Sequence, residues 1–182
     1  EIPAADAVSI LSISMEDGER FYGGGSTSRD HIQHRGEFLR MWTTYQQTEI
    51  PMPFMMSSRG WGVYNNSTRK SFFDIGNQQK SKFNIINTFD EADFYLMMGK
   101  DMPAILNEYT LVTGRTYVLP KWAYGLCFGP NMREEQFDIL NDAVRFRQFD
   151  VPCDVFWLEP QWMEKRYDFS TKKKWNYDRF SP

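Results

Sequence analysis

The sequence predicts an antiparallel β-sandwich followed by the opening of a larger parallel α/β domain. Three observations carry this. Residues 1–100 break into short strand-like runs separated by turn residues, the spacing of a sandwich. Residues 101–119 read as a capped helix and its connector. Residues 120–182 hold two unbroken apolar runs with a helical pattern between them, a strand–helix–strand unit of about 35 residues.

In the first part, strands are expected at Val8–Met15, Phe38–Thr43, Pro53–Ser57, Gly60–Asn65, Lys82–Asn87 and Asp93–Met98, with Gly23-Gly24-Gly25 as a break. In Asp93–Met98 the residues Phe94, Leu96 and Met98 alternate with Asp93, Tyr95 and Met97, a period of two. Asp101 can cap a helix that carries Pro103 in its first turn and Ile105, Tyr109 and Val112 on one face, with Gly114 as its stop. Trp122–Phe128 and Val151–Leu158 lack polar alternation, as strands buried on both faces do. Between them Asn131 and Glu134 form a cap-and-return pair ahead of a helix ending near Gln148, with Phe137, Leu140 and Val144 as its apolar face. A crossover of this length implies parallel strands, and two such strands cannot cover their own faces and edges. The sequence therefore enters a larger α/β domain without completing it.

Composition narrows the function classes. With 41% hydrophobic and 25% charged residues the chain is globular. A net charge of −3, with no basic run longer than Lys172-Lys173-Lys174, gives no footprint for nucleic acid. No apolar run reaches the ~20 residues of a membrane span. Cys127 and Cys153 are too few for a disulfide framework and read as small apolar side chains in buried strands. His31 and His34 lack the partners of a metal site, and Gly23-Gly24-Gly25 lacks the strand-to-helix setting of a phosphate loop, so no metal or cofactor is called for. Aromatic residues are abundant at 16%, which fits both a large core and sugar stacking.

Parallel α/β domains bind ligands at the C-terminal ends of their strands. Those ends are Phe128-Gly129-Pro130-Asn131 and Trp157-Leu158-Glu159-Pro160-Gln161-Trp162. In the second, an acid lies between two tryptophans. That combination suits a sugar, whose hydroxyls need acceptors and whose C–H faces need flat rings. A solvated loop acid between packing tryptophans is the competing account.

Several stretches, in order, resemble glycoside hydrolase family 31, the α-glucosidase and α-xylosidase family. Phe21-Tyr22-Gly23-Gly24-Gly25 resembles its FYGxGE segment, and PFMMSSRGWG (53–62) its PFYISSRGYG. Val63–Ser67, Phe73–Gly76, Ala104–Arg115, Pro120–Gly125, Val151–Val155, Trp162-Met163, Asp168-Phe169 and Phe180 extend the likeness over nearly the whole chain. The resemblance implies a β-sandwich packed on a (β/α)8 barrel, of which residues 120–182 are the start. It implies a retaining, exo-acting α-glycosidase acting on carbohydrate, with one Asp as nucleophile and another as acid/base. Both acids lie on later barrel strands, so no catalytic residue is expected in this chain, and the remainder of the barrel becomes a required partner. A secreted or periplasmic home is the habit of polysaccharide-degrading relatives.

The resemblance also marks a substrate-binding set. Glu159 stands where the family has an Asp that binds hydroxyls of the non-reducing sugar. The extra methylene moves the carboxylate by about 1.5 Å. Trp157 and Trp162 flank it, Phe128 ends the first barrel strand in place of a more polar segment, and Trp42 opens the sandwich loop Trp42–Gln47, which lacks the Asp often found there. The changed acid leaves α-galactoside or α-N-acetylgalactosaminide cleavage beside α-glucoside or α-xyloside cleavage. A non-catalytic sugar-binding sandwich would not need the start of a barrel. A catalytically dead homologue would share everything in this stretch.

Overall fold

The computed structural model describes residues 9–27, 31–44 and 50–181. The chain divides into two compact units, Glu1–Arg115 and Thr116–Pro182.

The first unit is a sandwich of two four-stranded antiparallel sheets. Its strands are β1 (Ser9–Ser14), β2 (Phe21–Ser26), β3 (Phe38–Met41), β4 (Ile50–Ser57), β5 (Trp61–Asn65), β6 (Ser71–Ile75), β7 (Lys82–Asn87) and β8 (Phe94–Met98). One sheet has the order β1-β7-β6-β3 and the other β2-β4-β5-β8. Phe21, Met55, Val63, Phe73, Ile75, Phe83 and Ile85 are fully buried between them. The Phe21 and Phe83 rings, one from each sheet, stack with centroids 5.5 Å apart, and Phe73 meets Phe83 edge-on at 5.7 Å.

Two strands depart from the sequence expectation. Gly23-Gly24-Gly25 is no break but the middle of β2, whose pairing with β4 shifts register between Gly23 and Gly25. All three glycines have positive φ, and a Cβ at Gly23 or Gly25 would stand 2.4 or 2.2 Å from a β4 carbonyl oxygen. A bulge this tight admits only glycine. The other is β6, every residue of which is buried. It sits between β7 and β3, and a strand covered on both faces shows no alternation.

An α-helix, α1 (Met102–Thr113), closes the outer face of the β2-β4-β5-β8 sheet. The Asp101 side chain accepts from the Ala104 amide at 2.9 Å, and Gly114, at φ 103°, ends the helix. Ile105 and Tyr109 are its buried residues, while Val112, expected on the same face, is exposed. Tyr109 stacks on Phe54 at 4.0 Å. Ile105 sits over Gly62, where a Cβ would lie 2.7 Å from its Cγ2. In β8 it is Met97, of the opposite parity to Leu96 and Met98, that packs in this cluster.

The second unit contains β9 (Cys127–Phe128), α2 (Gln136–Gln148) and β10 (Val155–Phe156). The strands are adjacent and parallel, Val155 beside Cys127 and Phe156 beside Phe128, as the crossover length requires. They are shorter than expected. Lys121–Tyr124 forms a 3-10 turn between Pro120 and Gly125 in place of extended chain. The cap of α2 is also corrected: Glu135 and Asp138 form the capping box, while Asn131 uses its side chain on the Arg133 amide, 3.0 Å away. The expected apolar face of α2 is not the one that meets the strands. Phe137, Leu140 and Val144 are exposed, and it is Phe146 that packs on the strands, 5.0 Å from Phe128 and 5.7 Å from Phe156. Nine residues separate Phe137 from Phe146, which puts them on opposite sides of a helix with about 3.6 residues per turn.

Candidate functional site

The chain beyond β10 builds the feature that the sequence singles out. Trp157 continues the ladder, donating its amide to the Phe128 carbonyl at 2.9 Å. Two residues later the chain leaves the sheet into a 3-10 turn, Pro160–Trp162, with Glu159 as its extended N-terminal residue. The Glu159 carbonyl accepts from the Trp162 amide at 3.1 Å. Among the described residues, none hydrogen-bonds or ion-pairs the Glu159 carboxyl group, and the backbone turn fixes only where its side chain leaves the chain.

The two tryptophans differ. Trp157 is 60% exposed, an open aromatic face beside the acid. Trp162 is half-buried and lies against Trp175, centroids 5.4 Å apart, whose indole nitrogen donates to the Phe180 carbonyl at 2.7 Å. Phe128 turns its ring toward Phe146 and Phe156, so it packs the strand end onto α2. Trp42 belongs to the first unit. It stands 47% exposed at the end of β3, in a cleft of about 680 Å³ walled by Pro51, Pro53, Tyr64, Asn66 and Arg69. Tyr64 donates to the Asn66 side-chain oxygen at 3.1 Å. Burial raises its phenol above the ordinary 10.0, helped by Tyr109, Asp93 and Tyr95. Residues 45–47 of the expected sandwich loop lie outside the described residues.

Sequence reasoning missed Gln161. It is 7% exposed, and its Nε2 donates to the Asn131 carbonyl, 3.5 Å away across 30 positions of sequence. Its Oε1 is buried without a hydrogen-bond partner among the described residues. Asn176 donates its side-chain amide to the Gln161 carbonyl at 3.2 Å and its backbone amide to the Trp162 carbonyl at 2.8 Å. Nothing in a linear reading pairs these positions, because each contact crosses a loop. Sequence reasoning also missed the link between the histidines: His34 is buried with Nδ1 at 2.8 Å from Glu37, whose other oxygen lies 4.0 Å from His31. This links His31 and His34 through Glu37 ahead of β3. Among the described residues no group of three or more His, Cys, Asp or Glu is arranged to hold a metal ion.

Known proteins match both units. Residues 3–74 match the glycosyl hydrolase 31 N-terminal galactose mutarotase-like domain, and residues 116–182 match the glycosyl hydrolases family 31 TIM-barrel domain. An alpha-xylosidase of Saccharolobus solfataricus is 27% identical over 85% of this chain and 23% of its own length. Alpha-glucosidase 2 of Bacillus thermoamyloliquefaciens is 29% identical over 82% of this chain and 20% of its own length. The structure of a family 31 dextranase of Flavobacterium johnsoniae, complexed with glucose, superposes with a TM-score of 0.77 at 24% identity, covering 94% of this chain and 21% of that one. The chain thus spans about a fifth of the length of these relatives. The first unit is the N-terminal sandwich and the second the start of the barrel, and the chain belongs to glycoside hydrolase family 31.

Proposed function

We propose that this chain is part of a retaining, exo-acting α-glycosidase that removes α-linked sugars from the non-reducing end of its substrate. Residues 1–100 serve as part of its sandwich, 101–119 as the link, and 120–182 as the opening of its catalytic barrel. The observation that carries the reading is Glu159, at the C-terminal end of the second parallel strand, free of protein partners among the described residues and flanked by exposed Trp157. Catalytic barrels of this type form their sites at that end of the strands.

Glu159 accepts hydrogen bonds from hydroxyls of the terminal sugar, and Trp157 and Trp162 offer faces to its C–H surface. Phe128 fixes the strand end on which this set stands. Trp42, on the first unit, is a separate candidate ring for sugar stacking. The nucleophile and the acid/base come from later strands, with carboxyl groups ~5–5.5 Å apart on either side of the scissile bond, as retention requires. The substrate sugar is of the glucoside or xyloside type, with galactosides and N-acetylgalactosaminides in the same panel because Glu is longer than the family's Asp.

The test is a panel of aryl α-glycosides with the complete enzyme. A hydrogen bond to a charged acceptor contributes about 1.5–3 kcal/mol, so Glu159→Gln lowers kcat/KM roughly ten- to a few-hundred-fold. Glu159→Asp changes the ratio of activities across the panel. Unchanged efficiency in both variants returns Glu159 to the solvated loop.

A further inference from the structure

Glu159 opens the 3-10 turn Pro160–Trp162, so whatever fixes that turn fixes the point from which its side chain reaches out. Two side chains do this. The buried amide of Gln161 joins the turn to the Asn131 carbonyl in the loop after β9, and Asn176 joins the Gln161 carbonyl to the chain beyond. We infer that Gln161 is a positioning residue, which holds Glu159 at the height and angle needed to receive the sugar hydroxyls. The inference rests on the assignment of Glu159 to substrate binding.

The bonding of Gln161 points to placement rather than to stability. Its one side-chain donor bond is long, at 3.5 Å, and its Oε1 is buried and unpaired. A buried acceptor without a partner destabilises the fold. A residue present for stability alone would be better replaced by an apolar side chain of equal length. What a methionine cannot do is tie the loops after the two strands to each other. Pro160 fixes one backbone torsion of the turn, and Gln161 ties the turn to the loop after β9.

The experiment compares Gln161→Met, Asn176→Ala, Glu159→Gln and the double variant Glu159→Gln/Gln161→Met in the complete enzyme. Each is measured for Tm, kcat and KM on the aryl α-glycoside that wild type hydrolyses fastest. Gln161→Met is expected to keep or raise Tm while kcat/KM falls about tenfold, and Asn176→Ala lowers kcat/KM in the same direction by a smaller factor. The double variant falls no more than about twofold below Glu159→Gln alone, because Gln161 acts through Glu159. If Gln161→Met does not fold, Asn176→Ala and its double variant with Glu159→Gln carry the same comparison. Wild-type kcat/KM in Gln161→Met, or losses that multiply in the double variant, overturn the positioning role and leave Glu159 as the sugar-binding acid. Wild-type kcat/KM in Glu159→Gln overturns that assignment, and the positioning role with it.

Discussion

Glu19 offers a direct measure of how the sandwich is held together. It is 1% exposed, yet no basic side chain forms an ion pair with it among the described residues. Three donors surround it instead. The Trp61 indole donates to Oε1 at 2.8 Å, the Ser57 hydroxyl donates to the same oxygen, and the Glu16 amide donates to Oε2 at 2.7 Å. Glu19→Ala strands these three donors, of which the Ser57 hydroxyl is buried. At about 1–3 kcal/mol for a buried donor left unpaired, three donors lose at most about 3–9 kcal/mol, and the part-buried bonds from Glu16 and Trp61 bring the expected loss toward the lower end of that range. Glu19→Gln is the milder variant. Its amide oxygen serves Ser57 and Trp61, but its NH2 then faces the Glu16 N–H, so one bond is lost and two donors oppose each other. The expected cost is about 1–3 kcal/mol, a shift in the urea midpoint of roughly 1 M at the slopes usual for small domains. Urea titration of the 182-residue chain, followed by far-UV circular dichroism, reads both. A Glu19→Ala midpoint equal to wild type would mean that the acid is hydrated in solution and that the three bonds contribute nothing.

Ile105 is fully buried where α1 meets the sheet, so Ile105→Ala is expected to cost about 2–5 kcal/mol, read by the same titration. Gly62→Val places a side chain where a Cβ alone already meets Ile105, and amide exchange in α1 should quicken while the β1-β7-β6-β3 sheet stays protected. Tyr64 is held above the ordinary phenol value, chiefly by burial, so the folded state keeps its proton longer than the unfolded state. The sign follows: this contribution to stability is complete below pH 10.0 and disappears as pH rises through the folded value. Subtracting the phenolate absorbance titration of Tyr64→Phe from wild type should give a midpoint above 10.0; one at or below it refutes the burial account. The 182-residue chain alone is expected to hydrolyse no aryl α-glycoside above background, because both catalytic acids are assigned to later strands; turnover by chain free of contaminating enzyme refutes that.

Much of the fold was legible because its signals are local. Lys82–Asn87 was bounded correctly by turn residues on either side, and Asp101 and Gly114 marked α1 by their own chemistry. What failed to show depends on neighbours distant in sequence. The glycines of β2 read as a turn because the β4 carbonyls that exclude side chains there are remote in the chain. Phe137, Leu140 and Val144 showed as an apolar face of α2, yet the residue that packs on the strands is Phe146. Periodicity reports that a face exists, not which neighbour covers it.

The candidate site divides along the same line, and this bears on how such a site changes during evolution. Trp157, Glu159 and Trp162 lie within six consecutive residues, so their chemistry is visible in the sequence. The hydrogen bonds beneath the turn that carries them are not. They join Gln161 to Asn131 and Asn176, and each of those residues also satisfies its own loop. An acid at this position can therefore lengthen from Asp to Glu without disturbing the strand, since the turn that carries it is anchored from below and from the far side. The carboxyl group moves by about one bond length while its base stays fixed. A hydrogen bond weakens steeply over such a distance. On the proposed assignment of Glu159, a one-carbon substitution on a fixed turn acts on which sugar hydroxyl is reached, while the strand ends pack through contacts elsewhere, among them Phe128, Phe146 and Phe156.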